Sequence, residues 1–137
     1  MTIDFSEKGK AMITMIDSIE KVLEEIPEDM KGEKHSPAQE HLFKVIEEGG
    51  EEGGVRLEEK ERVIVRQSTA RLLFLSQRAR TDAQTATLFL CTRVKEADTD
   101  YSDDYKKLAR VVQYLRATKY LPLILGMLLK CVFWCAK

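Results

Sequence analysis

Tyr101-Ser-Asp-Asp104 sets two adjacent carboxylates beside a tyrosine. On a tight hairpin between apolar strands, such a pair can bind the divalent ions that activate a hydroxyl and stabilise a leaving pyrophosphate. The flanks argue against that chemistry. Glu96-Ala-Asp-Thr-Asp100 precedes the pair, and the Tyr105-Lys-Lys-Leu108 that follows is amphipathic. Such flanks put both aspartates at a helix start, where carboxylates suit the positive end of the helix. His35, His41, Cys131 and Cys135 are the other group with metal-binding chemistry. Cys131 and Cys135 lie inside an apolar run, and neither histidine pairs with another ligand at finger-like spacing, so ordinary thiols and surface histidines are expected. No catalytic residue, metal or cofactor is assigned.

The basic residues offer a different chemistry. The chain carries 22 basic and 23 acidic residues for a net charge of -1, but they are segregated. Acid dominates residues 47–61, whereas residues 62–80 and 106–119 contain basic and no acidic side chains. A nearly neutral protein can then present a locally positive surface. On a helical wheel Lys106, Lys107 and Arg110 lie opposite the apolar stripe of Tyr105, Leu108, Ala109, Val112 and Leu115. Arg66, Arg71, Arg78 and Arg80 spread over two sides of an earlier helix. A solvated helix face is the plain interpretation of both sets. The alternative is contact with nucleic-acid phosphates, which carries no sequence information.

These residues need a scaffold. At 137 residues, 44% hydrophobic and 33% charged, the chain has the composition of a globular domain. Residues 2–5 and 11–15 predict two strands, with Gly9 supplying the positive φ a hairpin needs. A helix follows, with Ile16, Ile19, Leu23 and Ile26 on one face, and Pro27 ends it. Residues 28–34 are polar and loop-like, and His35-Ser-Pro37 implies an extended connection. The glycine and glutamate tetrapeptides of residues 47–54 predict a flexible surface loop.

Three helices should then follow. Ile64, Val65, Ser68, Leu72, Leu75 and Ala79 form the first stripe, which Leu73 and Phe74 extend. The second helix starts near Thr81 or Asp82, either a possible cap, and the third follows the acidic residues 98–104. Residues 120–126 predict a strand entered through Pro122. The apolar run 121–136 is shorter than the roughly 20 residues a bilayer span requires, and Pro122, Gly126 and Lys130 interrupt it, so no membrane contact is expected. A strand with no sheet to join should pack poorly. Asp4 and Glu7 near the N-terminus do not suit a secretory signal, and three cysteines are an odd count, which together predict reduced thiols inside a cell.

One family resemblance runs through the chain. Arg71-Leu-Leu-Phe-Leu-Ser-Gln-Arg-Ala-Arg-Thr-Asp82 with Gln84-Thr-Ala86 is similar to a segment of copia-type retrotransposon reverse transcriptases. Phe89-Leu-Cys-Thr-Arg-Val-Lys95 and Asp104-Tyr-Lys-Lys-Leu-Ala-Arg-Val-Val-Gln-Tyr-Leu-Arg-Ala-Thr-Lys119 resemble the next two helices of that family in order. Residues 1–10 and 35–45 also look like it, so the resemblance covers most of residues 1–125. There are departures: Thr81 stands where proline is usual, Ser68 and Thr69 where apolar residues are expected, and Ala117 where glycine is common. Val132-Phe-Trp-Cys-Ala-Lys137 looks like a broken start of the family's RNase H domain.

The resemblance implies an α+β, mainly α fold: an N-terminal β-hairpin and helix followed by a three-helix thumb-like bundle. It divides the chain into residues 1–45 (hairpin, helix and connection), 46–61 (acidic loop), 62–119 (bundle) and 120–137 (strand and truncated RNase H start). It implies a part of a reverse transcriptase that is not an enzyme on its own, the Tyr101 motif lying in the helix after the palm. The Mg2+ ions of the parent would be bound elsewhere in it. The implied partners are an RNA–DNA or DNA duplex, held weakly and without sequence preference, and the remainder of the Pol polyprotein. Lys106, Lys107 and Arg110 are the main candidate contacts, with Arg66, Arg71, Arg78 and Arg80 as lesser ones. A small helical protein-interaction module and an expressed relic without function are the alternatives.

Overall fold

A computed structural model describes residues 1–44, 58–94 and 101–126. The fold is α+β and mainly helical, as expected. Its order is β1 (Thr2–Asp4), β2 (Lys10–Thr14), α1 (Ile16–Glu24), α2 (Glu59–Arg78), α3 (Gln84–Val94), α4 (Tyr101–Ala117) and β3 (Leu123–Gly126). Short 3-10 turns sit at Glu28–Met30 and Thr81–Ala83.

β1 and β2 form the expected antiparallel hairpin, Ile3 opposite Ile13, and Gly9 turns it at φ 79°. The strand expected to lack a sheet has one. β3 pairs antiparallel with β2, Leu123 opposite Ile13 and Ile124 opposite Met12, giving the order β1-β2-β3. The ladder satisfies backbone groups on the free edge of the hairpin, which local patterning could not reveal. Residues 127–137, whose packing was expected to be poor, lie outside the described residues.

Across α1 and the residues flanking it the buried line runs through Met15, Ile19, Val22 and Ile26, at steps of four, three and four. It is displaced from the expected Ile16 and Leu23, which are half-buried. The acidic stretch 46–61 does not remain a loop throughout: α2 begins at Glu59. The Glu58 side chain accepts from the backbone of Glu61, and Glu61 returns a carboxylate to the Glu58 N–H at 3.0 Å. This reciprocal cap satisfies two of the donors a helix start leaves open. The glycine-rich residues 47–54 lie outside the described residues.

On α2 the buried positions are Val65, Ser68, Thr69, Leu72, Leu75 and Ser76, with Ala79 just beyond its end. Phe74, expected to extend the stripe, is 48% exposed. Neither Thr81 nor Asp82 caps α3. Its start is a 3-10 turn, and the Asp82 carboxylate is engaged elsewhere. α4 begins at Tyr101, so Asp103 and Asp104 lie within its first turn. Ile19, Val22, Met30, Leu42, Val65, Leu72, Leu75, Leu90, Leu108, Val112 and Leu115 share one hydrophobic core. The N-terminal segment and the helical bundle are therefore packed as one body.

Candidate nucleic-acid interface

The polar face of α4 is not open to solvent along its length. Residues 31–44 run along it as a strap, held by α4 side chains at every third position. Arg116 Nη1 donates to the Gly32 carbonyl at 3.3 Å, and Gln113 Nε2 to the Lys31 carbonyl at 3.2 Å. Arg110 Nη2 donates to Ser36 Oγ at 3.0 Å, and Lys107 Nζ to the Lys44 carbonyl at 2.7 Å. Three-residue spacing keeps these four side chains on one ridge of the helix. Gly32, at φ 132°, supplies a backbone conformation L side chains rarely adopt where the strap meets Gln113.

The expected trio of Lys106, Lys107 and Arg110 therefore splits. Lys106 is exposed and has no partner among the described residues. Lys107 pairs with Asp103 at 2.6 Å and lies over the Phe89 ring at 4.9 Å; its side chain is only 13% exposed. Arg110 is half-buried under the strap, and its Nε is buried with no hydrogen-bond partner. Between strap and helix lies a groove of about 400 Å³, lined in part by Lys34, Pro37, His41, Leu42, Lys106 and Arg110. Since Asp103 neutralises Lys107, the charges left unopposed there are Lys34, Lys106 and Arg110. Glu40 is the acidic residue of the adjoining depression.

The lesser candidates scatter. Arg66 is exposed and unpartnered among the described residues. Arg71 pairs with Glu25 just past the end of α1, and Arg78 covers the Phe74 ring at 4.3 Å. Arg80 must be withdrawn as a phosphate contact, because it is 2% exposed and its donors are engaged. Nε and Nη2 bind Asp82 Oδ1 and Oδ2 at 3.1 and 2.7 Å. Nη1 binds the Thr118 carbonyl at 2.9 Å, and Nη2 also reaches Thr118 Oγ1 at 2.6 Å. Tyr114 Oη donates to Asp82 Oδ2 at 2.6 Å, completing a network between the start of α3 and the end of α4. Burial by itself would raise the Asp82 carboxyl, but hydrogen bonds from Arg80 and Tyr114 and the Arg80 charge leave it below its ordinary value.

Asp103 and Asp104 serve different cations. Asp104 is 2% exposed and accepts from Arg93 Nε of α3 at 3.2 Å. Its burial raises the carboxyl above the ordinary range in spite of Arg93. Each carboxylate is taken up by a protein cation, Lys107 or Arg93, whereas a two-ion site needs both for its metal ions. Among the described residues no group of three or more His, Cys, Asp and Glu side chains could hold a metal. Cys131 and Cys135 of the imagined zinc set lie outside them. No helix among the described residues is long and apolar enough to cross a membrane.

Lys34 was missed as a site residue, and His41 was weighed only as a metal ligand, because nothing in their local pattern points to α4. They reach α4 through the strap, whose Ser36 is 74 positions from Arg110. Compared with known proteins, the chain matches no protein-family model, no curated protein and no solved structure.

Proposed function

We propose that this chain is the thumb and connection part of a copia-type reverse transcriptase, and that it holds the primer–template duplex by sequence-independent phosphate contact. Support comes from the way the resembling segments interlock. Arg80 and Asp82 belong to the first resembling helix segment, Tyr114 and Thr118 to the third, and the four form one part-buried network. The unopposed Lys34, Lys106 and Arg110 give α4 a cationic side on which a phosphate backbone can rest. In the parent, polymerisation and its magnesium ions belong to the palm, and the remainder of the polyprotein is the covalent partner. The setting is intracellular.

The test is binding of an RNA–DNA duplex by the full chain across a salt series. Log affinity should fall linearly with log salt, by roughly 0.9 per phosphate neutralised on B-form DNA and somewhat differently on a hybrid. Lys34→Glu with Lys106→Glu should weaken binding and flatten the slope by about two units. Duplex affinity with no salt dependence, or an unchanged slope in the double variant, would remove this function.

A further inference from the structure

We infer that the groove between the 31–44 strap and α4 is a seat for a single phosphoryl group, with the Arg110 guanidinium at its base. This rests on the proposal that the α4 face meets nucleic acid, and it says where one phosphate would sit.

The observation that carries it is the state of Arg110. Its Nη2 is fixed on Ser36 Oγ at 3.0 Å, and Ser36 Oγ is itself oriented by donation to the Ala38 carbonyl at 2.9 Å. The guanidinium plane is thereby set, yet Nε is buried and donates to nothing. A buried donor without an acceptor is unfavourable. Arg110 lines the groove and its Nη1 also has no partner among the described residues, and such a charged planar fork fits the oxygens of a phosphoryl group. Lys34 and Lys106 line the same groove, neither of them ion-paired among the described residues, while Pro37, Leu42 and Ala109 make the wall partly apolar. Low-polarity walls strengthen the attraction between those cations and a phosphate anion. The neighbouring Lys107 contributes little, since Asp103 and the Lys44 carbonyl already occupy it. At about 400 Å³ the groove has room for a phosphate and an attached sugar. The ligand chemistry is thus a phosphate ester, either a phosphodiester of a nucleic-acid backbone or a free phosphomonoester.

The experiment follows the Arg Nε–H resonances of the full isotopically labelled chain by NMR while inorganic phosphate is added. Arg110 Nε–H should shift with saturation, and exposed Arg66 should not. Lys34→Gln with Lys106→Gln, two exposed changes, should weaken that phosphate affinity by roughly tenfold, as expected for losing two charge-assisted contacts. An unmoved Arg110 signal, or shifts of Arg66 and Arg110 alike, overturns the seat. Competition then identifies the source. A duplex that displaces phosphate from Arg110 supports the seat and marks the backbone phosphodiester as its occupant. Phosphate binding that no duplex displaces keeps the seat, assigns it to a free phosphate ester, and defeats the duplex function alone. Duplex binding without any response at Arg110 defeats the seat alone.

Discussion

Arg80 grips Asp82, two residues along the chain, through two parallel hydrogen bonds of 3.1 and 2.7 Å, while its remaining reach goes to Thr118 beyond the end of α4. One buried guanidinium therefore fixes the α2–α3 turn and interacts with the carbonyl end of α4, where a cation is favourable. An arginine that belongs to a basic stretch in the sequence is in the fold a structural bolt.

Replacing Arg80 by alanine leaves Asp82 and the Thr118 carbonyl without their partner. Breaking a buried pair from one side typically destabilises by about 3–5 kcal/mol, and Asp82, 31% exposed, puts the expected loss at the lower end. Urea unfolding should show it, with the salt slope of duplex binding unaltered in conditions where the variant is folded. Wild-type stability together with a smaller slope would mean that Arg80 reaches nucleic acid after all.

Acid should act on this network in one direction. Because the folded Asp82 carboxyl lies below its ordinary value of 3.8, its ionised form adds stability that is fully present above that value and is lost as pH falls through the folded value. Asp104 works in the opposite sense. Its carboxyl is raised, so the ionised form opposes folding above the raised value, and protonation relieves this as pH falls toward 3.8. Asp82→Asn should therefore lower stability at pH 7 and flatten the fall in stability below about pH 4. Thermal unfolding followed from pH 7 to pH 2.5 checks this; a parallel fall in both proteins would count against it.

Thr69 on α2 is 2% exposed, and its hydroxyl has no hydrogen-bond partner. Valine has nearly the same shape without the hydroxyl. Thr69→Val should stabilise by about 1 kcal/mol, since it removes a buried unsatisfied group. For a domain of this size that raises Tm by roughly 4 °C. Calorimetry showing a lower Tm would mean that the hydroxyl has a partner, such as a buried water.

The two sides of the α4 cationic face should separate in one pair of variants. Lys106→Glu touches nothing and should change stability by less than roughly 0.5 kcal/mol. Arg110→Ala frees the strap at Ser36 and should lose about 1.5 kcal/mol or more, as hydrogen bonds involving a charged group do. Proteolysis within residues 31–44 should accelerate in the second variant only. Equal rates in both would show that the strap does not depend on Arg110.

Apolar spacing, Pro27 and Gly9 determined the helices and the hairpin from sequence alone, because helical period, a ring-locked φ and a positive φ act within a few residues. The same local rules misplaced burial at Phe74, and they treated Lys106, Lys107 and Arg110 as one exposed set. Which neighbour covers a helix face was decided only by the tertiary structure. The strap meets α4 through bonds spanning 63 to 84 positions, and β3 finds β2 across the whole described chain. Spacing along one helix carries no information about such partners. It could set Lys106 and Arg110 one turn apart, but only folding could bring Lys34 to face them, bury Arg80, and turn Asp103 and Asp104 toward different cations.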